Sequence, residues 1–561
     1  MSPGTGRFRR ALGGDDVVLG AGLLLLAAWL AATVLLPLAA LLAKAFQSPA
    51  GAFVGLDNFR AYFRNPALPR SIGNTLSIGA VSAAICVSLA FTYAYGLTRT
   101  CMPGRSVFRV IAQIPLLAPS LLPAISLVYL FGNQGLARGA LLGASIYGPV
   151  GIVMGEVFWT FPHALIVVTT ALALSDARLY EAARSLGASR WRIFWTVTVP
   201  GARYGLVSAF VVVFTLVVTD FGVPKVVGGH FNVLATDIYR QVVGQQNFQM
   251  GALVGLLLLA PALAAFAVDR VLRRRQSALV SSRTVPYRPA PSRAVDTLFL
   301  VACGLVALAL LAVVAVSVLA ALARRWPYDL TPSLRSFRFG DVDGGGWESF
   351  WNSLRMSASA AVAGTAVVFA GAFLVEKGRA FPAARGALQL LALLPLAVPG
   401  LVLGLGYVFF FNAPENPLGG IYGTLAILVV STVAHFYSVA HVTALTALQQ
   451  LDPELETVSA SLRVPLHRTF FRVTVPLCTP AILDIAIYLF VNGMTTVSAV
   501  VFLYAPQTTL ASVAVLNMDD AGDVAPAAAM ALLVFATAAL VRVLYALGTR
   551  GHLARATRWR A

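Results

Sequence analysis

Residues 176–200 read DARLYEAARSLGASRWRIFWTVTVP. The stretch encodes a helix, a turn and a second helix. Asp176, or Ser175 before it, can cap the first helix through a side-chain oxygen. Glu181 stands three residues from both Arg178 and Arg184, within pairing reach on a helix surface. Ala182 and Ala183 present little bulk, so another surface can approach the backbone there. Gly187 suits the left-handed residue that ends a helix. Ser189 can cap the next helix, and Pro200 marks the expected start of the apolar run that follows. So much local order exceeds what joining two segments requires. It suits one short helix laid into a cleft on a soluble partner.

The runs on either side, 146–172 and 202–222, are long enough to cross a bilayer, which takes about 20 apolar residues. Ten more qualify, at 17–43, 72–98, 107–131, 250–272, 295–322, 353–375, 385–411, 421–447, 479–503 and 525–547. The chain is 58% hydrophobic and 11% charged, against roughly 25% charged in a soluble domain. Mean hydropathy is +0.80. The expected fold is an all-α membrane protein of about twelve spans.

The net charge of +18 comes from short basic clusters between apolar runs. Such clusters orient helices in a bilayer; they are not the one-faced patch of a nucleic-acid binder. Placing both termini in the cytosol puts most of the 41 Lys and Arg residues on that side. Arg7, Arg9 and Arg10 precede the first run, which exceeds the roughly 7–15 residues of a signal-peptide core. It reads as an uncleaved span.

The sequence repeats itself. Asn74-Thr75-Leu76 matches Asn352-Ser353-Leu354. Residues 114–119 (IPLLAP) match 394–399 (LPLAVP), and Val197-Thr198-Val199-Pro200 matches Val473-Thr474-Val475-Pro476. Three matches at nearly one offset imply two halves, residues 1–272 and 295–561. Each has an even number of spans and therefore runs parallel to the other. Residues 273–294, with Arg273-Arg274-Arg275, Pro286, Pro289 and Pro291, read as a cytosolic, poorly ordered linker.

Glu181-Ala182-Ala183, Gly187 and Pro200 resemble, at their spacing, the EAA loop of ABC importer permeases. The second copy, 452–476, is degenerate. Asp452-Pro453 is a good helix start, but Thr457, Val458 and Ser459 stand in place of Glu-Ala-Ala, and Arg463 in place of Gly187. Glu456 is one position early, and Pro476 is retained. The resemblance implies a type I importer permease with both six-span halves fused, in a bacterial inner membrane. It implies that the two loops seat on an ABC ATPase subunit, as a pair, and that a periplasmic solute-binding protein delivers the solute. The three lysines, Lys44, Lys225 and Lys377, lie outside any phosphate-cradling P-loop. ATP and Mg thus belong on the partner, and this chain is expected to hold no cofactor and do no catalysis.

Polar residues inside spans carry a functional reading by default. The candidates for a solute path are Glu156, Asp220, Asp484, Asn492, Thr495, Thr496 and Ser498. Asp220 and Thr496 are counterparts in the two halves. Thr and Ser hydroxyls also bond their own helix backbone, and Asp484 has a neighbouring helix as an alternative partner. Pro115, Pro119, Pro395 and Pro399 break spans three and nine at matching places. Four scattered cysteines read as small buried apolar residues, and six dispersed histidines offer no metal pair. Residues 494–504 and 516–523 resemble the 2-aminoethylphosphonate branch of the fused permeases, with ferric iron the nearest alternative. The segment 324–351 and the acids Asp519, Asp520 and Asp523 offer a place for the binding protein. A proton-coupled secondary transporter shares parallel halves but needs neither structured loop.

Overall fold

The computed structural model describes residues 14–66, 68–279, 285, 287–378 and 380–556. In the first half run α1 (Gly14–Ala45), α2 (Leu68–Arg99), α3 (Arg105–Leu117), α4 (Leu121–Phe131), α5 (Pro149–Ala173), the loop helix α6 (Ala177–Ser185), α7 (Arg190–Thr219), the short α8 (Gly222–Val227) and α9 (Leu234–Tyr239), and α10 (Phe248–Leu279). The second half repeats the order with α11 (Arg293–Leu322), α12 (Gly346–Lys377), α13 (Pro382–Ala397), α14 (Gly400–Phe411), α15 (Leu425–Gln449), the loop helix α16 (Pro453–Ser461), α17 (Leu466–Leu477), α18 (Thr479–Thr495), the short α19 (Ala511–Asp520) and α20 (Val524–Ala556). A small antiparallel hairpin, β1 (Ala323–Arg325) and β2 (Asp329–Pro332), follows α11. Among the described residues nine helices are long and apolar enough to cross a membrane, and up to twelve if each of three bent pairs is one span.

The bends follow from prolines. Residues 114–117 and 394–397 close single 3-10 turns. Ala118 and Val398 then adopt extended backbone (ψ 134° and 117°), because the ring of the next residue, Pro119 or Pro399, disfavours the helical region. The chain turns by 103° between α3 and α4 and by 111° between α13 and α14.

Pro200 does not start a span as expected. Helix runs without a break from Arg190 to Thr219, with a wider π turn at Phe194–Thr198 just before the proline. The same device sits before Pro37 (Ala31–Leu35) and Pro476 (Phe470–Thr474). A π turn inserts one residue and re-routes the hydrogen bonds that a ring without an N–H disturbs. In the second half a further proline, Pro480, offers no N–H to the carbonyl of Pro476, and the helix breaks at Cys478 by 78°. Tyr204 stands at the matching place in the first half, where the helix runs on unbroken. The eleventh expected run, 479–503, is also shortened: α18 ends at Thr495, Thr496 is extended, and residues 498–503 form turns.

The halves exchange their first spans. α1 packs on α12, α13 and α14 as well as on α10 of its own half, while α11 packs on α2, α3 and α4 as well as on α20 of its own half. The buried core of the first half therefore contains Cys303, Leu310 and Val313 from α11. Leu19, Leu23, Leu26 and Leu30 from α1 lie in a larger buried cluster that joins residues of both halves. On the outside Leu298, Val301, Leu305 and Leu308 of α11 are well over half exposed, as lipid contact requires.

The repeated Asn-Thr and Asn-Ser pairs do one job twice. Thr75 accepts from the Leu234 amide at 2.9 Å, and Ser353 accepts from the Ala511 amide at 2.7 Å. Each thereby satisfies an orphan donor where α9 or α19 begins. Asn74 donates to the Asn232 carbonyl and Asn352 to the Gln507 carbonyl.

Candidate functional site

The two loop helices lie at the same end of the bundle. α6 begins as its sequence dictates, with the Asp176 carboxylate accepting from the Arg178 amide at 3.1 Å. It ends in a left-handed turn at Gly187 (φ +73°). The Ala188 amide there reaches back to the Ala183 carbonyl at 3.0 Å, the six-to-one bond of a Schellman cap. Ser189 caps the next helix by accepting from the Arg192 amide. The inner face is Ala177 and Tyr180, both buried, with the Tyr180 hydroxyl on Thr198 at 3.2 Å. The outer face carries Glu181 and Ala182, both exposed, and Leu186, 86% exposed. Ala183 is half-buried and Pro200 exposed.

The expected pairing of Glu181 with its neighbouring arginines is absent. Among the described residues Glu181 makes no ion pair, and Arg184 turns instead to the Tyr287 hydroxyl at 2.9 Å. A free carboxylate beside two alanines is what an approaching partner would meet.

α16 repeats the scaffold with different side chains. Asp452 accepts from the Glu454 amide at 2.9 Å. The Val464 amide closes on the Ser459 carbonyl at 3.0 Å, and Arg463 takes the left-handed position at φ +52°. Ser459 shares a hydrogen bond with Thr469. Val458 and Leu462 are 56% and 71% exposed, and Pro476 is exposed. The side chain of Glu456 lies outside the described residues.

In the interior, Asp220 and Thr496 occupy equivalent positions. Each is the C-terminal cap of its helix, with nearly the same backbone (φ −71°, ψ 141° and φ −68°, ψ 136°). Each begins a segment that crosses its half's elbow. In the first half Gly222 lies against Ser120 of the elbow. In the second, Ser498 lies against Gly400. The serine and the glycine have changed places. Asp220 accepts from the Val223 amide at 2.8 Å and lies beside the fully buried Glu156. Thr432 stands at the Glu156 position of the second half and is also fully buried.

The remaining path candidates divide. Asn492 and Thr495 bond carbonyls of their own helix, Tyr488 at 2.8 Å and Val491 at 3.0 Å. Asp484 lies apart from this group: it is exposed and accepts from the Tyr545 hydroxyl of α20 at 2.6 Å. Among the described residues no three His, Cys, Asp or Glu side chains converge as a metal site would require.

Two features escaped the sequence reading. At the end of the bundle away from the loop helices, Lys225 of the first half pairs with Asp520 of the second at 2.8 Å. Asp519 beside it is pushed up to about 6 by burial and by Asp520, with Lys225 opposing. Asp520 thus serves a contact between halves. At the loop-helix end, the buried Arg99 guanidinium lies over the rings of Tyr180 (5.0 Å) and Tyr287 (4.4 Å). Neither contact has a local sequence signature, since each joins residues far apart in the chain.

The chain belongs to the family of binding-protein-dependent transport system inner membrane components, whose family model matches it twice, at residues 102–278 and 368–551. The double match is the fused repeat. Among curated relatives, the ferric transport system permease protein FbpB of Actinobacillus pleuropneumoniae is 28% identical over 453 residues, covering 78% of this chain and 65% of that one. A protein named as a ferric permease, FbpB 1 of Haemophilus influenzae, is 28% identical over 442 residues, covering 75% of this chain and 68% of its own length. This chain thus spans about two thirds of the length of these relatives. A protein named for 2-aminoethylphosphonate transport, the permease PhnU of Salmonella typhi, is 23% identical over 249 residues, 43% of this chain and 86% of its own. A solved bacterial ABC transporter that imports alginate is 18% identical, with a TM-score of 0.38 over 47% of this chain and 97% of that one.

Proposed function

We propose that this chain is the membrane-spanning permease of an ATP-driven importer, with α6 and α16 docking on a pair of ATPase subunits at the cytosolic face. Both termini lie on that face. A soluble binding protein delivers solute to the opposite face, and the bundle alternates between outward and inward openings as the ATPase pair closes and reopens. The observation that carries this reading is the repeated loop helix. Two helices 276 residues apart share cap, length and left-handed stop, although most of their side chains differ. A connector has no reason to keep that geometry; a docking element does.

The path runs between the halves past the Asp220 and Thr496 caps, with Glu156, Ser498, Asn492 and Thr495 near it. Ferric iron is the first solute to test, because the ferric permeases align across both halves. 2-Aminoethylphosphonate is the second, favoured by the 494–504 and 516–523 segments. The purified permease is reconstituted in proteoliposomes with its ATPase and binding protein, and uptake of labelled ferric iron and of labelled 2-aminoethylphosphonate is measured. Accumulation that needs ATP supports the reading. Accumulation driven by a proton gradient with no ATPase present would overturn it.

A further inference from the structure

Of the linker 273–294, expected to be poorly ordered, residues 273–279 continue α10 and residues 280–284 and 286 lie outside the described residues. Residue 285 and residues 287–292 lie along the first loop helix, held by contacts that reach both halves. The Ala177 amide, at the start of α6, donates to the Val285 carbonyl at 2.9 Å. Tyr287 packs against Tyr180, with ring centroids 4.6 Å apart and the rings tilted by 54°. Its hydroxyl accepts from Arg184, and its face receives the Arg99 guanidinium. Arg190 donates to the Ser292 hydroxyl at 2.9 Å.

The far end of the same segment is fixed to α11, the first span of the second half. The Ser292 amide donates to Asp296 at 2.9 Å, and the other oxygen of Asp296 accepts from the Cys101 amide at 2.8 Å. Arg99 also donates to the Leu172 carbonyl at 2.6 Å, near the end of α5. Its buried charge is met by two aromatic faces and a carbonyl, an arrangement that gains from the absence of water.

We propose that Val285 and residues 287–292 form a strut that ties α6 to α11, with Tyr287 as its positioning residue. Tyr287 acts through Tyr180 and Arg184. Displacement of α6 is thereby delivered to the span that the second half lends to the first, as well as to α5 and α7. The second loop helix has a different support: the Leu466 amide, beyond α16, donates to Asp15 at the start of α1. Each loop is thus tied to the start of its neighbouring first span, but among the described residues only the first has the aromatic and arginine cluster.

The inference rests on α6 being the ATPase-facing element, and the test separates the two. Amide exchange of the purified permease in nanodiscs is followed by mass spectrometry for wild type, Tyr287→Ala and Tyr287→Phe. Solute moved per ATP is measured for the same proteins reconstituted with the ATPase. Tyr287→Ala is expected to raise exchange in 177–187 by about tenfold and to lower solute moved per ATP. Residues 453–461 should exchange as in wild type. Tyr287→Phe keeps the ring and should restore most of both. Unchanged exchange in 177–187, an equal rise in 453–461, or loosening without any change in solute moved per ATP would each overturn the strut. If Tyr287→Ala gives the expected pair of changes while Glu181→Ala leaves transport normal, the strut stands and docking through Glu181 falls. If Glu181→Ala uncouples while Tyr287→Ala does nothing, docking stands and the strut falls.

Discussion

Gly187 and Arg463 occupy the same left-handed turn, at φ +73° and +52°. A Cβ on Gly187 would meet nothing within 4 Å, so space does not explain the glycine. The backbone does. A side-chain-bearing residue in that region costs roughly 1–2 kcal/mol, which the second half bears at Arg463.

Exchanging these residues should therefore shift local stability in opposite directions. Arg463→Gly is expected to slow amide exchange at Val464, and Gly187→Arg to speed it at Ala188, each by about tenfold or slightly less. Hydrogen exchange on the purified permease reads both. Equal rates in variants and parent would mean that the turn is not strained.

Glu181→Ala removes the unpaired carboxylate without touching the buried face of α6. Insertion and thermal stability should be unchanged within about 0.5 kcal/mol. ATP-dependent uptake should fall about tenfold, the equivalent of roughly 1.4 kcal/mol of docking energy. Paired uptake and ATPase assays would show hydrolysis continuing. Wild-type uptake would remove the carboxylate from the docking surface.

The reversed Ser/Gly pairs at the elbows make a crossed test. A Cβ on Gly222 would sit 2.2 Å from the Ser120 hydroxyl oxygen and 3.3 Å from the Leu121 amide nitrogen. Gly222→Ser is expected to cost about 1–3 kcal/mol as overpacking. The double change Ser120→Gly with Gly222→Ser, which copies the second half, should recover most of that. Thermal denaturation of the three variants in one detergent compares them. A double variant less stable than Gly222→Ser alone would contradict the exchange.

Much of the fold was legible in the residues, and the reasons are specific. Runs of apolar residues announce spans because lipid leaves no alternative. Pro119 and Pro399 announce the elbows through the residue before each. Asp176, Gly187 and Ser189 announce α6 and its turn. Three errors share a cause: a local signal was overruled by its neighbours. Pro200 looked like a helix start, but the π turn before it carries the helix through. Residues 496–503 are apolar enough to prolong α18, yet they leave the helix at Thr496. The proline-rich linker looked structureless because Tyr287 pairs with Arg99 and Tyr180, more than a hundred residues away. The Lys225–Asp520 bridge was hidden for the same reason.

Asp519, half-buried beside that bridge, sets a pH dependence at the end of the bundle opposite the loop helices. Asp519 holds its proton more tightly in the fold, at about 6, than in an unfolded chain, at about 3.9. A group raised in this way contributes stability fully below its unfolded value and loses it as pH rises through the folded one. Thermal stability should decline between pH 4 and 6 through this residue, and Asp519→Asn should flatten that portion. Lys225→Met removes the opposing charge and should move the decline to higher pH. A melting profile for Asp519→Asn that follows wild type across this range would dismiss the assignment.

The exchange of first spans sets an order for biosynthesis. Cys303, Leu310 and Val313 belong to the core of the first six-helix unit, yet they are translated after its other spans. Until translation passes residue 322, the groove along α2, α3 and α4 waits open to lipid or to an insertion chaperone. A chain truncated near residue 280 would lack Cys303, Leu310 and Val313 from that core.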